Sequence, residues 1–318
     1  MNILVTGSAG FIGFNLCKKL LEEKHTIMGV DNYSEYYDVS LKKARGEILK
    51  KDENFSEVIC DTTNYDEIEK VFKNNTFDKV VNLAAIAGVR HSLENPFIYE
   101  KSNGLGFLNI LECCRHNNVK DIVYASSSSV YGNNNKIPAS ETDNVDNPIS
   151  LYAATKKYNE LLAHTYSHLF GINCTGLRFF TVYGPYGRPD MALFLFTKAI
   201  LNGQPINVFN NGEMERDFTY VADIVNGINL AIKKPFKNEV FNLGRGEMVK
   251  LTYFIELIEK ELGKKAQTNL MPMQLGDVPK SLADVSKAKK MLGYEPKISV
   301  EEGIHNFVNW YKEYYNIS

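Results

Sequence analysis

The sequence predicts an α/β fold: a doubly wound parallel sheet, with a smaller α/β domain at the C-terminal end. Three observations carry that expectation. Over the first 180 residues, short apolar runs alternate with longer stretches of helical periodicity, the rhythm of strands joined by crossover helices. The runs are apolar nearly throughout rather than at every second position, as strands covered on both faces must be. The first run also leads straight into VTGSAGFIG, a glycine-spaced turn that opens a helix.

In order, strands are expected at 2–6 (NILVT), 26–30 (TIMGV), 57–60 (EVIC), 79–84 (KVVNLA), 121–126 (DIVYAS) and 174–179 (CTGLRF). Between them, 11–23, 66–72, 103–116 and 152–169 repeat apolar residues three and four apart, the spacing of one helical face. The turn-rich GPYGRPDM breaks this rhythm, so a first domain is expected over 1–180 and a second over 181–318, with some later segments returning to the first sheet. Helical periodicity resumes at 192–202, 251–263 and 299–315, with short polar strands and the loop FNNGEMERD in between.

The 318 residues are 44% hydrophobic and 23% charged, enough for one large or two moderate domains. A net charge of −2 offers no basic field, which argues against nucleic acid or a membrane as partner. The opening MNILVTG lacks the pattern of a signal peptide, and no apolar run is long enough to span a bilayer. Five cysteines without a CxxC read as reduced structural thiols. A cytoplasmic protein is expected. His164 and His168 lie four apart, but HTYSH has no adjacent glutamate, and no metal is expected.

Gly7, Gly10 and Gly13 stand three apart between a strand and a helix whose first residues include Phe11 and Ile12. A phosphate needs bare backbone and free N–H groups, which glycine and a helix N-terminus supply. Asp31 follows the second strand, eighteen residues past Gly13, with Asn32 beside it. A carboxylate there accepts from both adenosine ribose hydroxyls and repels a 2′-phosphate, so the cofactor expected is NAD. Asp61 and Thr62 after the third strand and Leu83, Ala84 and Ala85 after the fourth complete this Rossmann-like crevice. Asn103 is assigned to it as well.

SLYAATKK places Tyr152 and Lys156 four apart, on one helical face, downstream of ASSSSVYG. A phenol is a poor base near neutrality, but neighbouring cations favour its charged form. Serine hydroxyls at the end of the fifth strand reach the same point. Such a group can take a proton from an alcohol while hydride leaves for NAD.

Together GxxGxxG, Asp31, SSSSVYG, YxxxK, GLRFFTVYGP, RDFTYV and LGYEPKISVEEGI resemble the extended short-chain dehydrogenase/reductase family, and within it the nucleotide-sugar 4-epimerases. DNYSEYYDVSLKKAR, GVRHSLENP, GRPDMALFLFTKAI and MQLGDV are similar to stretches of its UDP-glucuronate 4-epimerase subgroup. The resemblance implies Tyr152 as base, Lys156 as its ribose-bound partner and Ser127 as the hydroxyl bridging the sugar oxygen. It also implies a UDP-sugar substrate, a homodimer formed through helices 103–116 and 152–169, and a sugar site lined by Ser128, Ser129 and Thr181, with Arg90 also among the substrate-binding residues. Arg216 would hold the diphosphate and Asp277 the uridine ribose. Related dehydratases carry an Asp-Glu pair where this chain has Ser128-Ser129, so return of the hydride is the exit left to a 4-keto sugar. Arg188, in PYGRPDM, is assigned to a substrate carboxylate. A neutral or N-acetylated UDP-hexose, or decarboxylation of a UDP-uronate, stand as alternatives.

Overall fold

The computed structural model describes residues 1–134 and 136–317. Its first half runs β1 (Asn2–Thr6), α1 (Phe11–Glu22), β2 (Thr26–Asp31), α2 (Val39–Leu49), β3 (Phe55–Ile59), α3 (Tyr65–Lys73), β4 (Lys79–Asn82), α4 (Val89–Glu94), α5 (Pro96–Tyr99), α6 (Gly106–His116), β5 (Asp121–Ser127), α7 (Leu151–Phe170) and β6 (Asn173–Phe179). A π-helical turn, Glu100–Leu105, joins α5 to α6. Then follow β7 (Thr181–Tyr183), α8 (Ala192–Leu201), β8 (Ile206–Phe209), β9 (Glu215–Arg216), β10 (Phe218–Tyr220), α9 (Val221–Lys233), β11 (Asn238–Leu243), β12 (Val249–Lys250), α10 (Leu251–Leu262), β13 (Thr268–Met271), α11 (Ser286–Leu292) and α12 (Val300–Tyr314).

Seven strands form one sheet in the order β11-β6-β5-β4-β1-β2-β3, and every pairing in it is parallel. The six strands expected from the apolar runs all appear, within two residues at each end. The reason for continuous apolarity is visible in β1. Ile3 and Val5 pack into the core with Phe14, Leu16 and Ile224, whereas Leu4 packs on the other face with Ile68, Phe72 and Ile110. Helices cover both sides, so β1 is buried from Ile3 to Thr6.

β11 comes from beyond residue 181 and completes the sheet beside β6. A second apolar core lies among α8, α10 and α12, around Phe194, Phe254, Ile304 and Phe307. Phe218 stacks on Phe254 there, ring centroids 4.0 Å apart. Three two-stranded pairings, β10 with β7, β12 with β9 and β13 with β8, link this core to the large sheet. Strand order reverses at β1, flanked by β2 on one side and β4 on the other. In parallel sheets that reversal opens a crevice at the carboxyl ends of the strands.

Candidate active site

A cavity of about 1190 Å³ opens at that crevice and extends toward the C-terminal segments. Gly7, Gly10, Phe11, Ile12 and Gly13 line it. A Cβ on Gly13 would lie 2.0 Å from the Gly7 carbonyl oxygen, and one on Gly7 would lie 2.8 Å from the Ala84 nitrogen. Only glycine lets the turn fold this tightly against α1 and the β4 loop. No side chain caps the N-terminus of α1, so its dipole and first N–H groups face the cavity available for an anion.

Asp31, at the end of β2, is buried. Its Oδ1 accepts from the Tyr33 N–H (2.8 Å) and its Oδ2 from the Ala9 N–H (3.1 Å), which ties it to the glycine turn. Burial pushes its carboxyl above the usual range, against the pull of Lys42 and those two N–H groups. Asn32 donates to Asp61 Oδ2 (3.1 Å). Thr6 Oγ1 accepts from the Ala84 N–H (3.2 Å), fixing the Leu83-Ala84-Ala85 segment along the cavity wall. An uncapped helix end, a glycine turn without Cβ atoms and a ribose-sized acidic corner are what NAD needs. The residues fit it.

Tyr152 lies in the first turn of α7, whose Ser150 cap accepts from the Ala153 N–H (3.1 Å). Burial raises the phenol's pKa; hydrogen bonding to Ser127 and the charge of Arg188 pull it back down. The helix N-terminus also favours a phenolate. Lys156 is 3% exposed, and burial alone lowers its ammonium to about 8. Its Nζ donates to the Ala125 carbonyl (2.9 Å) and sits 6.0 Å from the Tyr152 ring centroid. Two cations therefore bear on the phenol, Lys156 over its ring and Arg188 through its charge. Ser127 ends β5; its hydroxyl donates to Ser129 Oγ (3.1 Å) and accepts from the Ser129 N–H (3.2 Å). Ser128 and Thr181 line the same wall.

At the far end Arg216 gives Nη1 to the carbonyls of Glu215 (3.0 Å) and Pro279 (2.9 Å), and burial lowers its pKa. Arg90 pairs with Asp277 (3.2 Å) while lying 4.9 Å over the Phe209 ring. Of the residues singled out in the sequence, Asn103 alone does not reach the cavity. It is 1% exposed, donates to the Ile86 carbonyl (3.0 Å) and Thr155 Oγ1 (3.1 Å), and accepts from the Ile86 N–H (2.9 Å). The π-helical turn carries it behind the segment that forms the wall. From there it braces the Ile86 segment of the wall.

Sequence reasoning missed Arg45, Lys42 and Asp190. Arg45, wholly buried, donates to the carbonyls of Ala9 (2.9 Å) and Tyr186 (2.6 Å) and to Tyr37 Oη (2.7 Å), joining the glycine turn to the loop that carries Arg188. Asp190 pairs with Arg188. Their only signals were the motifs DNYSEYYDVSLKKAR, which contains Lys42 and Arg45, and GRPDMALFLFTKAI, which contains Asp190, without saying what they touch.

Residues 3–244 match the model of the NAD dependent epimerase/dehydratase family. The chain is 57% identical to an uncharacterised protein of Methanocaldococcus jannaschii, covering 98% of this chain and 96% of that protein. It is 47% identical to a UDP-glucuronate 4-epimerase of Thermodesulfobacterium geofontis, over 98% and 96% of the two chains. A solved UDP-glucuronic acid 4-epimerase from Bacillus cereus, in complex with UDP-glucuronic acid and NAD, superposes with a TM-score of 0.93 at 36% identity, covering 99% of this chain and 100% of the other.

Proposed function

Because this chain belongs to the NAD dependent epimerase/dehydratase family, we propose that it inverts carbon 4 of a UDP-linked uronate, interconverting UDP-glucuronate and UDP-galacturonate. The observation that carries this reading is the company Tyr152 keeps. Three serine hydroxyls, Thr181 and the guanidinium of Arg188 share its cavity, and serines stand where a dehydratase has carboxylic acids.

The glycine turn at Gly7–Gly13 and Asp31 would hold NAD, which would supply a hydride acceptor for carbon 4 and, once the 4-keto ring has turned over, the donor to its opposite face. Tyr152 takes and returns the proton of the 4-hydroxyl, with Ser127 Oγ bridging the same oxygen. Lys156 holds the cofactor's ribose, Arg216 the diphosphate, and Asp277 with Arg90 the uridine end. Residues 1–180 carry the cofactor in this reading, and 181–318 carry the sugar nucleotide. Exposed Leu105 on the turn before α6 and Tyr158, Leu161 and Leu169 on α7 favour a homodimer through that side of the sheet.

The deciding experiment incubates the NAD-loaded protein with UDP-glucuronate, UDP-glucose and UDP-N-acetylglucosamine and separates products by chromatography. UDP-galacturonate should form with no net reduced cofactor. Release of carbon dioxide with a UDP-pentose would make the protein a decarboxylase instead. The Arg188→Ala variant should raise KM for UDP-glucuronate at least about tenfold more than for UDP-glucose, the worth of a charge-assisted hydrogen bond. Equal changes for both substrates would remove Arg188 from the carboxylate. One feature favours a neutral hexose as the second reading: Arg188 already has a carboxylate partner within the chain.

A further inference from the structure

Arg188 is held along one edge. Its Nε donates to Asp190 Oδ1 (3.0 Å), and its Nη2 donates to Asp190 Oδ2 (2.5 Å), the Ala87 carbonyl (3.1 Å) and Tyr36 Oη (3.3 Å). Tyr36 Oη in turn donates to Asp190 Oδ2 (3.2 Å). Three loops meet here, those following β2, β4 and β7. They meet closely: a Cβ on Gly88 would lie 2.7 Å from Tyr36 Oη. Among the described residues Nη1 has no partner, and Arg188 lines the cavity that holds Tyr152.

We propose that Asp190 is a specificity-determining positioning residue, which occupies the Nε–Nη2 edge of Arg188 and leaves Nη1 alone to meet a substrate carboxylate. The proposal rests on the reading of the substrate as a UDP-uronate. Two consequences follow from the geometry. A guanidinium binds carboxylates best as a two-pronged fork, and here both protons of Nη2 are already engaged, so the substrate receives a single-pronged contact. A carboxylate on Nη1 also shares its cation with Asp190, and two like charges on one guanidinium repel. The site thus keeps hold of the carboxylate while limiting its affinity, so that the sugar can turn over between the two faces of the ring. A neutral hexose meets neither effect.

Burial opposes the charge of Arg188, yet the Asp190 carboxylate raises its pKa well above the ordinary value. The pair is therefore a standing ion pair in the free protein. Asp190→Asn keeps the shape and one acceptor while removing the negative charge. The expected result is a Kd for UDP-glucuronate lowered about tenfold relative to that for UDP-glucose, the order of one charge–charge interaction near a protein surface. kcat for UDP-glucuronate should fall as KM falls.

The experiment measures binding of both nucleotides to the NAD-loaded protein by calorimetry, for the parent, Asp190→Asn and Asp190→Ser, with thermal melts to check folding. The same substitutions are repeated on Arg188→Ala, where they should no longer shift the ratio. A ratio that stays unchanged, or moves toward UDP-glucose, overturns the proposal, because a merely structural role would weaken both ligands alike. Should the parent protein epimerise only neutral sugars, the functional reading falls by itself, while the shift in the binding ratio still decides whether Asp190 acts on a carboxylate.

Discussion

Phe in place of Tyr152 should reduce kcat by about a thousandfold, the usual worth of a positioned proton-transfer group, and leave substrate binding and the melting temperature nearly intact. The ring stays where it is. It packs edge-on to Tyr99 with centroids 6.1 Å apart, and the Ser150 cap of α7 does not depend on the hydroxyl. What is lost is the phenol in the first turn of α7 that shares the cavity with Ser127 and Arg188. Steady-state epimerisation measured beside equilibrium binding of the sugar nucleotide separates the two effects. A variant keeping more than about a tenth of the parent rate would exclude Tyr152 as the proton carrier.

Substituting Gln for Glu160 should have the largest effect on stability. Glu160 lies one helical turn beyond Lys156 on α7 and makes a two-pronged pair with Arg178 of β6, Nε to Oε1 and Nη2 to Oε2, each 2.8 Å. Both residues are buried, and Ser126 Oγ adds a third hydrogen bond to Oε1 (2.7 Å). Removing one member strands the other charge in the interior, at a cost of about 3–5 kcal/mol. A drop in melting temperature on the order of 10 °C follows for a chain of this size. Replacing both residues by apolar ones of similar volume should recover much of the loss, since a buried pair contributes little over a well-packed apolar contact. If Glu160→Gln melts within about 2 °C of the parent, the pair does not anchor the helix that carries Tyr152.

Those two helical partners, Tyr152 and Lys156, were legible because their relation is local: four residues on one helix put them on one face. The same holds for the glycine turn, which is nine residues long, and for strands whose burial on both faces leaves a continuous apolar signature. α2 was not legible. Its buried side consists of Leu41, Lys42, Arg45, Gly46 and Leu49, so two cations stand where the periodic pattern demands apolar residues. Lys42 is there because its ammonium donates to Ser34 (2.8 Å to both the carbonyl and Oγ), and Arg45 because backbone carbonyls from two distant loops converge on it. The brace role of Asn103 was hidden for a related reason. A π-helical turn adds a residue to the helical repeat, so a 3.6-residue pattern does not register which way Asn103 points. Asp190 lies two residues from Arg188, but whether an Asp-Arg pair of that spacing faces solvent or a cavity is decided by Tyr36 and Ala87, more than a hundred residues upstream.

The pairing of β11 with β6 bears on biosynthesis. Six strands of the large sheet have been synthesised by residue 179, but the neighbour that closes the β6 side is not made until residues 238–243. Until then the nascent chain presents an open row of N–H and C=O groups along β6, a template for pairing with other molecules. A polypeptide ending at residue 180 would keep that edge permanently and should aggregate more readily than the whole chain.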